Sequence, residues 1–523
     1  MPAYKVCVKW KGTPYEVEAD TDDAPLTFKA QLFALTGVQP ERQKVMFKGK
    51  SLADDSWGAM GPLLKEGCQL MLLGSADAVP TAPVARAQDA EELSAEQLAE
   101  KAEIPAGLKN LGNTCYMNAT LQCLRAAEEL KAGLKAFRGR LLSSDWSAGS
   151  AQAAHALTAA VRDLYDNMEK RGGVLAGDQR EDSAQVIPLV LLQMVHSVFP
   201  RFAERDGHGQ LMQHDANEFW TELVRALHQK VPVPPATPVG SGADDEAADG
   251  GVLAEAEAVP SAQSLIGRYF GGRFESRYRC LEAEAEPETV LDEDFLQISC
   301  WLSQEVKYLQ SGLAAKMSEE MEKQSPTLGR NANYKKTTKI SRLPAYLCVQ
   351  IVRFFFKEKD NVNAKILKDV KFPMVLDTFE LCSDALRQRL LPLRQRIRLE
   401  EDKRAELEKK KKLGELDDTD GQAAAVAGGA PATLPTAFED DVGSNGSGFY
   451  ELKAVLTHKG RSSNSGHYVA WIRQSAGSAR WLMCDDERVH AVTEEDVLKL
   501  SGGGDWHCAY LLLYGPKQHH VLP

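Results

Sequence analysis

The residues with the most chemical content lie in two short stretches far apart in the chain. In GLKNLGNTCYMNATLQCLR, residues 107–125, polar and glycine residues lead into an apolar periodic run that begins near Tyr116. Cys115 therefore stands where a helix starts. The unpaired N–H groups and the dipole of such an end favour a thiolate and can hold an oxyanion. Asn110 and Asn113 are both near enough to add a side-chain amide donor. Cys123 falls on about the same helical face and reads as core. A nucleophilic thiol needs a base, and the informative segment is NSGHYVAWIRQSAGSARWLMCDDERVHAV, residues 464–492. Two alternating strands, 467–473 and 480–484, flank a Ser475-Ala476-Gly477-Ser478 turn. A pairing centred on Ala476 sets His467 directly across from Asp485 at the open end of the hairpin. A carboxylate on one ring nitrogen fixes the imidazole and leaves the other nitrogen to face a nucleophile. A paired surface His–Asp is the plainer alternative. Asp486 is one residue off that register and faces away if the strand persists, so Asp485 is the candidate acid.

The chain that must position these groups has 523 residues, enough for two to four domains. With 43% hydrophobic and 26% charged residues it is globular in composition. A net charge of −12 argues against a nucleic-acid binder, which needs a basic face. The longest apolar run, 186–195, is interrupted by Pro188 and is too short for a membrane span, and the N-terminus has no apolar signal core. Ten scattered cysteines suit a reducing compartment, where a special cysteine is catalytic rather than bridged. Residues 77–104 and 232–262 read as Ala-, Glu-, Gly- and Pro-rich connectors. The third irregular stretch, about 383–446, opens with RQRIRLEEDKRAELEKKKK. It reads as a solvated inserted helix, with a coiled-coil or partner-binding helix as the other option.

Residues 1–76 form a separate unit. Strands are expected at 4–10, 15–18, 44–47 and 69–73, with a turn over Lys11-Gly12-Thr13-Pro14 and a helix from 28 to 35 stopped by Gly37. This ββαββ order, with KVMFKGKSLADD after the helix, resembles a ubiquitin-like β-grasp domain. Ubiquitin ends in a cleavable Gly-Gly, whereas this unit runs Leu73-Gly74-Ser75-Ala76, so the resemblance implies a built-in docking module.

The remaining boxes are LMQHDANEF (211–219), LPAYLCVQIVRF (343–354) and HKGRSSNSGHYVAW. Together with GLKNLGNTCYMNATLQCL they resemble the ubiquitin-specific protease family of deubiquitinases, in the family's order and across 105–516. The ubiquitin-like unit and the ending LSGGGDWHCAYLLLYGP are similar to its proteasome-associated members. The resemblance implies an α+β chain in which the β-grasp domain precedes a papain-like cysteine protease domain of thumb, palm and fingers, with 517–523 as a tail. It implies Cys115 as nucleophile, His467 as base and acid, Asp485 as its partner and Asn110 as the oxyanion-hole asparagine. Gln213, Asp215 and Tyr468 are expected to bind the substrate's C-terminal tail; for Asp215, capping a local helix is the structural alternative. Many family members carry two CxxC pairs in the fingers. Here Cys280 and Cys300 each lack a partner at that spacing, so no metal and no cofactor is expected. Two polar segments, 331–342 (with Lys335) and 460–466 (with Ser462, Ser463 and Ser465), correspond to loops that lie over the tail groove in the proteasome-associated members. The three serines are candidates for phosphorylation.

The expected function is a proteasome-associated, thiol-dependent isopeptidase that releases ubiquitin from substrates, gated by a lid and activated on docking. Its expected partners are ubiquitin, ubiquitinated proteins and the proteasome regulatory particle, with no nucleic acid and no membrane span. Its expected location is the cytoplasm, with the nucleus left open. The alternatives are a catalytically idle ubiquitin-binding scaffold and a protease for another ubiquitin-like modifier.

Overall fold

A computed structural model describes residues 4–73 apart from 11–12, 22–24, 37, 39–42, 54–55 and 59. It also describes residues 105–521 apart from 140–150, 173–184, 234–262, 358–361, 413–432, 463–464 and 505. The expected linker 77–104, nearly all of the 232–262 connector, and Ser463 lie outside these residues. The chain divides into two compact units, Met1–Ala95 and Glu96–Pro523.

In the first unit the strand order is Thr13–Ala19, Tyr4–Trp10, Gln69–Leu73, Lys44–Phe47, Lys50–Ser51. Tyr4–Trp10 pairs antiparallel with Thr13–Ala19 and parallel with Gln69–Leu73. Val6, Val8, Val45, Leu70 and Leu72 alternate along these strands and bury one sheet face against Phe28 and Leu32 of the helix Pro25–Thr36. Pro25 opens that helix, where its missing N–H costs nothing. The short strand Lys50–Ser51 was not expected. It exists because Lys48 and Gly49 both have positive φ (46° and 81°), as a two-residue hairpin turn requires.

The second unit stacks helices on a ten-stranded sheet. The sheet's main path runs Ile298–Trp301, Leu347–Val352, Cys508–Pro516, Phe449–Ser462, Ser465–Arg473, Arg480–Asp485, Arg488–Thr493. Its two faces are both covered. One packs on the helices Cys115–Leu124, Ala151–Arg171, Leu189–Val198 and Ala216–Lys230, and the other on a second core around Phe372, Leu386, Leu390 and Trp481. A separate four-stranded antiparallel sheet, Ser318–Gln324, Asn331–Arg342, Gly272–Cys280, Thr289–Phe295, forms the fingers. Cys280 is buried in the small cluster of Tyr278, Ala332 and Tyr334, and Cys300 in the second palm core, so the two thiols belong to different packing groups.

Three expectations need correction. Residues 331–342 are not a loop but a central finger strand, with Lys335 across from Glu320 on one side and Arg279 on the other. Ala332 and Tyr334 alternate with exposed Asn331, Asn333 and Lys335, a strand period masked by the polar composition. The 383–446 stretch is only partly an insertion. The helix Asp384–Lys412 buries Leu386, Leu390 and Ile397, and Arg394 grips Asp377 with two bonds (3.0 and 2.7 Å). Residues 433–446 pack too, through buried Leu434, Ser444 and Asn445. A narrow apolar stripe among many charges is enough to anchor a helix. Finally, the catalytic hairpin pairs Ala470 with Cys484 and Arg473 with Trp481, two residues away from the expected register, because the turn centres on Gly477 (φ 74°). A two-residue shift preserves which face each side chain takes. His467 and Asp485 remain on one face as diagonal neighbours rather than direct opposites.

Candidate active site

The loop before Cys115 is wound around one side chain. Asn110 Oδ1 accepts from Gly112 N (3.0 Å), Thr114 N (3.2 Å) and Thr114 Oγ1 (3.2 Å), while Thr114 Oγ1 also accepts from Leu111 N (2.9 Å). Gly112 and Asn113 are both left-handed (φ 99° and 53°), a reversal that glycine and asparagine tolerate. The chain leaves this knot directly into the helix Cys115–Leu124. Met117 N bonds Thr114 O (3.1 Å), but Thr114 makes no side-chain cap, so the amides of Cys115 and Tyr116 have neither an intrahelical acceptor nor a capping oxygen. They surround Cys115 with donors, as an oxyanion site needs. Every residue of this helix is buried. Its polar side chains donate to backbone carbonyls: Thr120 to Tyr116 O, Gln122 to Ala106 O, and Asn118 to Leu108 O, while the amide oxygens of Asn118 and Gln122 are buried without a partner.

His467 bonds Asp485 Oδ1 through Nε2 at 2.5 Å, which leaves the other ring nitrogen for its hydrogen bond to Cys115. The Asp485 bond and the Cys115 contact raise the imidazole from its ordinary value to about 10, against the opposing effect of burial. Asp485 is correspondingly lowered by His467. Thus a thiol, an imidazole and a carboxylate meet although Cys115 and His467 stand more than 350 positions apart in sequence.

Asp486 does not face away. The strand ends at Asp485, and Asp486 has φ 49° in a two-residue turn that closes on the Asp485–Arg488 pair. Strand alternation no longer applies, and the carboxylate turns inward. Its Oδ2 accepts from Asn110 Nδ2 and its Oδ1 from Asn118 Nδ2, both at 2.8 Å, while its backbone oxygen accepts from Leu108 N at 2.8 Å. Burial pushes this carboxyl up, and the two asparagine amides pull it back. An amide nitrogen has two hydrogens; Asp486 takes one from Asn110 and orients the other. The sequence signal was an aspartate where a tight turn demands positive φ. His467, Asp485 and Asp486 offer atoms within 4.8 Å of one another, but these carboxylates and the imidazole are already bonded to protein groups.

The other expected site residues take different places. Asp215 caps the helix Ala216–Lys230 by accepting from Asn217 N (2.7 Å) and Glu218 N (3.1 Å), and takes the Tyr510 hydroxyl as well (2.9 and 2.8 Å). Burial raises its carboxyl and these bonds oppose the rise. Tyr468 is 1% exposed, its ring 4.6 Å from that of His458. Gln213 Nε2 lies 3.8 Å from Cys115 Sγ and 3.0 Å from Gly466 O. Ser465 is exposed and pairs in register with Ser462 across the end of the hairpin. Other thiols nearby are inert by burial, which pushes Cys484 up to about 12 and raises Cys123 well above its ordinary value.

The sequence matches the family described as "Ubiquitin carboxyl-terminal hydrolase" over residues 106–514, and "Ubiquitin family" over residues 6–76. Among curated relatives, Ubiquitin carboxyl-terminal hydrolase 6 of Arabidopsis thaliana is 39% identical over 97% of this chain and 98% of its own length. Ubiquitin carboxyl-terminal hydrolase 14 of Caenorhabditis elegans is 39% identical over 99% and 95%, respectively. Ubiquitin carboxyl-terminal hydrolase 6 of Schizosaccharomyces pombe is 33% identical over 98% of both.

Proposed function

This chain belongs to the ubiquitin carboxyl-terminal hydrolase family and is a deubiquitinating cysteine protease with an N-terminal ubiquitin-like domain, and from that premise we propose that it works on ubiquitin conjugates held at the proteasome. The observation that carries the chemical part is a single imidazole, His467, bonded at once to Cys115 and to Asp485. With the imidazole raised, His467 is the group that takes and holds the proton of the Cys115 thiol as the sulfur becomes the nucleophile. The thiolate attacks the carbonyl of ubiquitin's terminal glycine, and the oxyanion is taken by the Cys115 amide and the second hydrogen of Asn110. His467 gives its proton to the leaving lysine amine as the C–N bond breaks. It then removes a proton from water, which attacks the thioester and returns Sγ as the leaving group. Asp485 holds the ring through both half-reactions.

The proteasome part of the reading rests on the ubiquitin-like domain. A tethered module raises the local concentration of bound conjugates, so weak affinity for ubiquitin itself suffices. Because 331–342 is a strand paired on both sides, the gating reading is placed on the hairpin end at 460–466, beside His467. Such an enzyme would work in the cytoplasm.

Hydrolysis of a fluorogenic ubiquitin C-terminal amide, with and without proteasomes whose own deubiquitinases are blocked, tests the reading. Weak activity alone, a large rise with proteasomes and none in Cys115→Ala is the expected result. Removal of residues 1–76 should leave the weak activity and abolish most of the rise. A Cys115-independent signal would overturn the chemistry, and a rise that survives the truncation would overturn the docking.

A further inference from the structure

We propose that Gln213 is a latch across the mouth of the cleft, closed in the free enzyme and opened by the backbone of the incoming chain end. This rests on the reading of Cys115 as the nucleophile toward a ubiquitin glycine. One amide nitrogen, Gln213 Nε2, reaches both rims: 3.8 Å to Cys115 Sγ on the helix side and 3.0 Å to Gly466 O on the hairpin side. Only the nitrogen can donate to the Gly466 carbonyl, so the orientation of the amide is fixed.

The hairpin side offers that carbonyl because no side chain is possible there. Gly466 has φ 134°, and a Cβ would stand 2.3 Å from Lys459 O and 2.5 Å from His458 Nε2. The strand is pressed onto its neighbour and turns its oxygen toward Gln213, one residue before His467. The helix side is equally fixed, since Asp215, two positions after Gln213, is tied to the first turn of Ala216–Lys230 and to Tyr510. The bar therefore hangs between two anchored posts.

A carbonyl carbon must come within about 3–3.5 Å of Sγ to be attacked. The Gln213–Gly466 bond occupies that approach, so the chain end can enter only when the bond breaks. A hydrogen bond of this exposed kind biases the closed form by about tenfold, which a bound chain end readily reverses. Once released, Nε2 donates to a backbone carbonyl of the extended tail, exchanging one carbonyl acceptor for another. Gln213 thus acts as a positioning residue that couples entry of the tail to exposure of the sulfur.

The test is alkylation of Cys115 in the full chain by iodoacetamide, a probe that needs no ubiquitin, read by mass spectrometry across roughly pH 6 to 9, where thiols titrate. Gln213→Ala should raise the plateau rate by about tenfold. Gln213→Met keeps the length but has no donor, and should alkylate as fast as the alanine variant. If Gln213→Met stays as slow as the parent, bulk rather than the bond blocks the sulfur, and the latch is wrong. If only the pH midpoint moves while the plateau is unchanged, the amide acts on the thiolate and not on access, and the latch is also wrong. Unchanged melting temperature in both variants shows that the fold is intact. A parent enzyme that alkylates as expected but does not cleave ubiquitin amide would sink the proposed function and leave the latch standing.

Discussion

The rim that carries Cys115 is a helix of ten residues buried on every side, whereas the rim that carries His467 is the end of a hairpin whose tip residues Ser465 and Gly466 face solvent. The first rim is held by a knot of hydrogen bonds within five residues of the nucleophile and by Asp486 reaching in from the second. The second is held by strand pairing from Ala454 to Lys459 and by one His–Asp bond. The difference is physical. A nucleophile and its oxyanion donors must be fixed to fractions of an ångström, while the base must also let a chain pass beside it. Rigidity is placed where charge develops, and freedom where substrate enters.

Substitutions can break this contrast, and they fall in order of expected effect. Cys115→Ala should reduce hydrolysis of a ubiquitin amide to background, on the order of a 10⁶-fold loss, because no other nucleophile is in place. Asp486→Ala should come next. It removes the acceptor of one amide hydrogen on Asn110 and one on Asn118, whose other hydrogen keeps Leu108 O, at about 1–3 kcal/mol for each donor left unpaired. With Asn110 unaimed, kcat should fall by about 10²- to 10³-fold, with little change in KM. A loss under tenfold would show that the first rim does not depend on the second.

The third change acts on charge. Asp485→Asn removes the largest influence that raises His467 to about 10, so the basic limb of kcat/KM should move to lower pH. Stability follows the same sign. A raised imidazole stabilises the fold fully below its ordinary value of 6.5, and the gain is lost as pH rises through about 10. The melting-temperature deficit of Asp485→Asn should therefore be largest near pH 6 and vanish near 10; a deficit that grows with pH would contradict the ion pair.

Gly107→Ala tests the seam between the rims. Its Cβ would sit 2.1 Å from Glu487 O, with Leu108 bonded to Asp486 next to it. A cost of about 1–3 kcal/mol, read as a lower melting temperature, is expected. The smallest effect belongs to Ser465→Ala, an exposed change at the hairpin end that should alter amide hydrolysis by less than about twofold.

Much of this was legible in the residues themselves. The helix start at Cys115, the hairpin with His467 and Asp485 on one face, and the alternation in the first unit all follow from patterns within about twenty residues, where periodicity and turn chemistry act directly. The family boxes singled out Asn110, whose side chain the structure places at the centre of the loop before Cys115. Three things escaped. The 331–342 strand looked like a loop because its solvent face is polar and its buried face is only Ala332, Tyr334 and Ile340. The charged helix looked solvated because its docking uses only three buried apolar side chains, together with arginine pairs to Asp377, Glu380 and Asp440 that read as surface charge. Asp486 looked idle because its side chain is redirected by a positive φ that no period predicts.

The sequence by itself determined which residue types could react and which local elements would present them, since hydrogen bonding along the chain and the face of each side chain are short-range matters. Only the tertiary structure decided that one carboxylate holds His467 while its neighbour holds Asn110. It also decided that a glutamine from a third segment lies between the rims. Those assignments depend on where segments hundreds of residues apart are brought together by burial of the two palm cores, and each buried polar group must then be satisfied by whatever partner the packing places within reach.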